Sequence, residues 1–509
     1  MIKKILLLGG VFTASLFGAM DASTLYWASD AESDAPYIFH DINDYEKIIG
    51  FEVEIVDSIA QKIGKKTVFV QNDWDSIIAG LQRGHLYDIA INGIDVTPDK
   101  QRFVNFSIPY YITYYQLVVR ADNKSIHSLA DCAGKSVGTL KCSNAYQYLE
   151  EVGNVDIRDY TSEVNGFSDL KIGRIDAVLF EAPIDLFYAE PDTSLKKTGG
   201  PIGKIQYAIA VRKDDKLLLS QINRSLYTMQ HNGELRKILE RWKLWNPYTA
   251  AYLNDYSTVV IEPDGYNDFL NCFYKNISWA ERFERYFGAW PFLLDAAWMT
   301  MKLSFVSMIF AISLGFFIAI IRVYGPMPIQ LLSMLYIEIV RGTPLLIQML
   351  FIFYGLPLIG VEFSPFVAGI LALGINYSAY EAENYRAGLL SVHRGQMEAA
   401  RALGMTHNQA LRYVIIPQAI RFVIPPVTND FISLLKDSSL VSVITIVELT
   451  KAYQQLTTNH YDYFGMGILV AAVYLLLGLP FVRFSRWAEK RLTYRYMRHK
   501  ALEKKKIIF

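Results

Sequence analysis

Hydrophobic residues are distributed along this 509-residue chain in two different ways. From Ser23 to about Pro247 they come in short runs separated by polar stretches. Thr67–Val70, Leu117–Arg120, Ser136–Leu140 and Ile205–Val211 read as strands, and Phe51–Ile63 and Trp74–Arg83 carry a helical period. No stretch of 18 apolar residues occurs there, so residues 23–247 predict a soluble α/β unit. From Tyr286 onward the texture changes. Residues 286–482 hold only 20 acidic or basic residues among 197. Uncharged runs of 19, 20, 18 and 20 residues appear at Leu303–Ile321, Gly342–Val361, Phe363–Tyr380 and Tyr463–Val482. Each approaches the ~20 residues a helix needs to cross a bilayer. A fifth candidate, about Pro417 to Val447, is interrupted by Asp430, Lys436 and Asp437. The pattern predicts an all-α membrane domain of five transmembrane helices over residues 287–490.

The ends add direction. Lys3 and Lys4 precede an apolar run from Ile5 to Ala19, the shape of a secretory signal over residues 1–22. With no clean Ala-x-Ala site, an uncleaved anchor is the alternative, and both export the domain downstream of the run. Residues 248–286, rich in Tyr, Phe and Asn, read as a linker that would span ~35 Å if flexible, its aromatic content suggesting that part of it packs, on the membrane surface for example. If the first domain is exported and five spans come after it, Arg322, then Arg386, Arg394, Arg401 and Arg412, then a tail from Arg483 with ten Lys+Arg against two Glu, all face the cytoplasm. The outer loops near Glu362 and Asp462 are poor in basic residues, as the positive-inside rule requires. The expected location is the cytoplasmic (inner) membrane, multi-pass. The binding domain then lies on the periplasmic or extracellular side and the basic tail, residues 491–509, inside.

Composition narrows the classes further. Fifty Lys+Arg balance 50 Asp+Glu, and mean hydropathy is +0.18. Zero net charge excludes a strongly basic nucleic-acid binder. Three cysteines, Cys132, Cys142 and Cys272, are too few for a disulfide scaffold and fit no zinc spacing. Cys132 and Cys142 flank the strand Ser136–Leu140, which would hold them too far apart for a disulfide, so both read as free thiols. Gly134-Lys135-Ser136 ends like a phosphate loop, but Leu129 stands where its first glycine would be, and GxxxxGK[ST] occurs nowhere. The expectation is no catalytic triad, no metal site and no cofactor in this chain, with ATP handled by a partner.

The sharpest motif is Glu398-Ala399-Ala400-Arg401-Ala402-Leu403-Gly404, followed by Ile415-Ile416-Pro417. Small residues at 399, 400 and 402 allow close approach by another surface, and Gly404 can end a short helix with φ > 0. This segment resembles the EAA loop of ABC-importer permeases, with Ile415-Ile416-Pro417 a mild departure from the family's Leu-Pro ending. Glu338–Leu346, Tyr380–Gly388 and Leu434–Leu440 resemble the polar-amino-acid branch of the same permeases. The resemblance implies a type I importer fold, a cytoplasmic ABC ATPase gripping Glu398, Ala399, Ala400 and Gly404, and a second copy of the chain. Charges in membrane spans face the bundle interior or a pathway, so Glu338, Arg341, Lys436 and Asp437 are candidates for internal pairs or for pathway lining.

In the N-terminal half, Gly50-Phe51-Glu52-Val53-Glu54-Ile55, Asp73–Ile78, Thr97-Pro98-Asp99-Lys100 and Phe106–Tyr111 resemble the two-lobe periplasmic amino-acid-binding proteins. That resemblance implies a pocket. Asp30 and Glu181 match acids that face the ligand's amino group, the latter usually an aspartate. Trp74 matches an aromatic that packs on the side chain, Gly93 a backbone contact, and Ser143 and Asn144 the start of a helix whose N–H groups can receive a carboxylate. Asp95 replaces a hydroxyl residue, Lys100 replaces an arginine and loses its bidentate fork, and Ser33 and Asp34 stand where an aromatic is usual. Three acids facing Lys100, the only basic residue placed among them, favour a polar or basic amino acid over glutamate or aspartate. The whole reads as an importer subunit with a fused binding domain. A ligand-gated ion channel with the same two-lobe sensor is the rival, but its membrane segments would interrupt the binding domain and a carbonyl filter such as TVGYG would be present.

Overall fold

The computed structural model describes residues 21–31, 35–41, 44, 47–82, 86–141, 143–160, 162–257, 261–273, 278–460 and 462–507. Residues 1–20 of the signal segment, Ser33, Asp34, Arg83 and Cys142 fall outside the described residues. The chain divides into two compact units, one of residues 1–290 with 454–463 and the other of 291–453 with 464–509.

The first unit holds two five-stranded sheets. One runs β4 (Lys66–Gln71), β1 (Thr24–Ser29), β5 (Ile89–Ala90), β12 (Ala210–Val211), β6 (Asn105–Phe106). The other runs β11 (Leu195–Tyr207), β7 (Tyr111–Arg120), β10 (Ala177–Glu181), β8 (Ser136–Leu140), β9 (Asp156–Tyr160). In the first sheet β1 pairs in parallel with β4 and β5, and β12 closes it antiparallel to β5 and β6. Each sheet is the centre of one lobe. The chain crosses between lobes twice, just before β7 and just after β11, and the two crossings are stitched together. Ser107 N–H donates to the Ile209 carbonyl at 2.9 Å and Tyr110 N–H to the Tyr207 carbonyl at 3.0 Å. The predicted strand Ile205–Val211 is therefore two pieces in different sheets, its middle serving as a hinge strand.

The helix Phe51–Ile63 forms as its period requires, burying Phe51, Ile55, Val56 and Ile59. Gly50 precedes it at φ 142°, where a Cβ would lie 2.1 Å from the Tyr37 carbonyl oxygen, so only glycine fits. The predicted helix from Trp74 begins as a 3-10 turn, Trp74–Ser76, and continues as Ile77–Gln82. Cys132 is buried and unpaired, its thiol pushed up to about 11 mainly by burial.

Residues 248–286 depart from a flexible linker. They form the helices Pro247–Leu253, Asp264–Phe273 and the start of Trp279–Gly288. Asn246 caps the first of these by accepting from Tyr248 and Thr249 N–H. Tyr266 and Phe269 are buried against Phe187, and Phe269 also meets Phe39. Burial of these rings, which the sequence displays only as aromatic richness, fixes the segment to the first unit.

In the second unit, Trp290–Tyr324, His407–Ile444 and Tyr463–Arg491 are long and apolar enough to cross a membrane. Met327–Gly342 and Leu345–Gly355 would make a fourth span if read as one, but they meet at a 104° bend. The straight helix expected over Gly342–Val361 is thus replaced by a break. Pro344 drives Thr343 to an extended conformation, φ −112° and ψ 141°. Met327–Gly342 itself is masked in the sequence by Gln330, Glu338 and Arg341. Pro365–Ser391 has 27 residues, about 40 Å of helix, with Asn376, Glu381 and Glu383 diluting its second half. Its first half packs with Leu303, Met349, Phe353, Val441 and Ile444. The basic tail continues the last helix as far as Ile507.

Candidate functional site

The residues expected to hold a ligand come from both lobes. Asp95 carries the junction: it accepts from Lys100 Nζ within its own lobe and from Asn144 Nδ2 across from the other. Lys100 is placed by a short helix, Pro98–Gln101, capped by Thr97, whose hydroxyl accepts from Lys100 N–H at 3.3 Å. Its ammonium also lies 5.5 Å from the Trp74 ring centroid, close enough for a cation–π contact. Lys100 is thus held by lobe one before any ligand arrives.

Asp30 is held within its own lobe. One oxygen accepts from Gln71 Nε2 at 2.8 Å and the other from Trp74 N–H at 2.9 Å. Its carboxylate starts the 3-10 turn and so aims the indole. Ser143 is likewise engaged, its N–H donating to the Leu140 carbonyl at 3.2 Å and its hydroxyl 3.2 Å from Thr139 Oγ1. In this conformation Asn144 offers its side-chain amide to Asp95 rather than a backbone N–H to a carboxylate.

Glu181 ends β10 in lobe two and is met by two tyrosines. Tyr37 donates to Glu181 Oε2 at 2.9 Å, Tyr207 donates to the same oxygen, and the two hydroxyls are 2.9 Å apart. Burial is the largest influence on Glu181 and raises its pKa to about 7. Behind it lies a group that sequence reasoning passed over. Glu52 is fully buried and accepts from Gly93 N–H at 2.7 Å and from the Tyr110 hydroxyl. Desolvation raises its pKa to about 8, against the opposing effect of those two bonds. Gly93 sits at φ 60°, with Tyr37 ring atoms within 3.4 Å of where a Cβ would be. Glu52 was visible as part of a motif, but nothing in Phe51-Glu52-Val53-Glu54 says which glutamate turns inward. Glu54 goes elsewhere, accepting from Arg241 and Trp242 at 2.9 Å. Tyr110 lies inside the Phe106–Tyr111 motif, while Tyr37 and Tyr207 lie in none of the motifs. An open depression of about 410 Å³ elsewhere on lobe one, lined by Val96, Phe106, Gln206 and Lys213, contains none of the expected ligand residues.

The second candidate region is the EAA segment. Arg394–Ala402 is a helix, and Leu403 and Gly404 close it with Gly404 at φ 84°. Met405 N–H returns to the Ala400 carbonyl at 3.2 Å, the 6→1 bond of a glycine-terminated helix. Glu398, Ala399 and residues 401–404 are exposed, with Leu403 at 81%, while Ala400 is buried. The Thr406 hydroxyl and Gln409 then cap the next helix reciprocally. A π turn, Leu411–Ile415, joins it to the helix Ile416–Asp437.

The four charged residues singled out within the spans do not pair with one another. Asp437 accepts from the Tyr377 hydroxyl at 2.7 Å, the Arg341 guanidinium lies 4.9 Å from the Tyr380 ring, and Lys436 is exposed. The ion pairs fall instead on Glu383, which takes Arg322 and, at 2.8 Å, Arg386.

Two lobes around a polar junction, joined to a helical membrane domain with an exposed glycine-ended helix, define a binding protein fused to a membrane permease. Residues 28–244 match the family of bacterial extracellular solute-binding proteins, family 3, and residues 297–494 match the binding-protein-dependent transport system inner membrane component. The L-cystine transport system permease protein TcyB of Bacillus subtilis is 40% identical over 34% of this chain and 74% of its own length. The probable glutamine ABC transporter permease protein GlnM of the same organism is 37% identical, over 41% and 97%. Among solved structures, an ancestral arginine-binding protein bound to arginine is 35% identical over 43% of this chain and 98% of that one, with a TM-score of 0.41. The chain belongs to the inner-membrane permeases of binding-protein-dependent ABC importers, carries a solute-binding domain at its N-terminal side, and is a multi-pass membrane protein.

Proposed function

We propose that the N-terminal domain closes on a polar or basic amino acid and delivers it to the membrane domain of an ABC importer powered by a separate cytoplasmic ATPase. The observation that carries this reading is the junction at Asp95. One acid engages the only lysine placed at the site and, at the same time, an amide from the opposite lobe, so ligand capture and lobe closure share a residue. An α-amino acid brings one ammonium and one carboxylate. Lys100 meets the carboxylate, with Trp74 packing on the side chain and Gly93 and Glu181 facing the ammonium. Asp95 remains for a donor on the ligand side chain, which disfavours glutamate and aspartate, because an added carboxylate would face acids without compensation.

Five spans, with Pro365–Ser391 and the bent pair each counted once, put the binding domain outside and the Arg394–Ala402 helix and basic tail inside. In that topology the ATPase engages Glu398, Ala399, Ala400 and Gly404, and two copies of the chain form one pathway. ATP is bound by the partner alone. Reconstitution in liposomes tests the scheme. The chain with its ATPase should take up a radiolabelled polar or basic amino acid, and ATP hydrolysis should be absent without that partner. Hydrolysis by the pure chain would overturn it.

A further inference from the structure

The segment just before the first apolar helix has a face that nothing in the described chain covers. Trp279–Gly288 is a ten-residue helix fixed by a reciprocal cap: Glu281 N–H donates to the Ser278 hydroxyl at 3.3 Å, and Glu281 Oε2 accepts from Ser278 N–H at 2.8 Å. At 100° per residue, Phe283 and Phe287 lie 40° apart on one face, Glu281, Arg282 and Arg285 fall on the opposite side, and Glu284 stands on the flank, 60° from Phe287. Phe283 is 57% exposed and Phe287 78%. The preceding helix, Asp264–Phe273, behaves oppositely and buries Tyr266 and Phe269. Uncovered phenylalanines beside a buried aromatic cluster are not a consequence of loose packing throughout the segment.

Two observations say what lies against this face. The helix ends one residue, Ala289, before Trp290–Tyr324, the first membrane-crossing helix, whose Trp290, Leu294 and Trp298 are exposed. Its Tyr286 donates a hydrogen bond to Asp462, within the same compact unit. Asp462 immediately precedes Tyr463–Arg491, the last membrane-crossing helix. The helix is therefore anchored at the starts of two spans, and both anchors lie where those spans leave water. We propose that Trp279–Gly288 is an interfacial helix, lying in the headgroup–acyl boundary with Phe283 and Phe287 in lipid and Glu281, Arg282 and Arg285 turned away from it. It rests on the reading of Trp290–Tyr324 as a span.

The test uses the full chain in nanodiscs of phosphatidylethanolamine and phosphatidylglycerol, with the native cysteines replaced and nitroxides introduced singly by Glu281→Cys, Arg282→Cys, Phe283→Cys, Phe287→Cys and Leu294→Cys. Collision with oxygen should exceed collision with a water-soluble nickel chelate at 283, 287 and 294, and the order should reverse at 281 and 282. If 294 reports lipid while 283 and 287 report water, or are shielded from both quenchers, the interfacial helix is wrong and the span stands. If 294 also reports water, the membrane reading fails and takes this proposal with it.

Discussion

In the binding domain Asp30, Glu52, Asp95 and Glu181 gather with one lysine, Lys100, whereas in the membrane domain Glu383 sits between two arginines, Arg322 and Arg386. The first region holds an excess of acid, and two of its carboxyls, Glu52 and Glu181, are raised to about 8 and about 7, mainly by burial. The second has charges on spans, where water is scarce, and holds one carboxylate between two guanidiniums, a surplus of base. The two groups thus carry opposite imbalances. Breaking one member of each group should separate the two.

The largest effect is expected in the membrane domain. Glu383→Gln leaves two guanidiniums without their carboxylate and should destabilise the unit by about 3 kcal/mol, the lower end for a broken buried pair, since each partner keeps about a fifth of its surface exposed. Thermal unfolding of the detergent-purified chain measures this, and amino-acid binding should be unchanged. Next comes Lys100→Ala. It should weaken binding by about 1.5–3 kcal/mol with little loss of stability, the range for a hydrogen bond to a charged group. An unaltered Kd would mean that Lys100 only neutralises Asp95.

The acids give a pH dependence with a definite sign. Both folded-state values lie above the ordinary carboxylate value, so their contribution to stability is full below about pH 4.5. It is lost as pH rises through about 7 for Glu181 and about 8 for Glu52. The slope reaches at most about 1.4 kcal/mol per pH unit for each proton. Hydrogen exchange in the helix Phe51–Ile63 should therefore quicken between pH 5 and 8, and Glu52→Gln should flatten that trend. The smallest effect belongs to Gly404→Ala. Nothing lies within 4 Å of the added carbon, so the cost is the φ of 84° alone, about 1–2 kcal/mol for an L-residue. Stimulation of the partner ATPase should fall while ligand binding does not.

How much could be read in the sequence depends on the range of the forces involved. The helix Phe51–Ile63 and the strand Ser136–Leu140 are set by local periodicity and appear where expected. The Pro344 break was available in principle, since a proline restricts the residue before it, but an uncharged run of 20 residues spoke louder. Tyr110 stands in the Phe106–Tyr111 motif and Tyr37 and Tyr207 in none, but the roles of all three depend on partners 144, 58 and 26 residues away. The ligand positions from the family resemblance told which residues gather, but not that Asp30 would spend its carboxylate on Trp74 N–H. The aromatic richness of residues 248–286 signals that part of the segment packs, as Tyr266 and Phe269 do, without saying against what.

Calorimetry on the purified chain, titrating arginine, glutamine and glutamate at pH 6 and pH 8, tests the central claim most directly. Arginine or glutamine should bind and glutamate should not. Affinity should rise toward pH 8, because the ligand ammonium favours ionised Glu181 while a proton competes for it below about pH 7. Glu181→Gln should remove that rise. Tight glutamate binding that is indifferent to pH and survives Glu181→Gln would contradict the account.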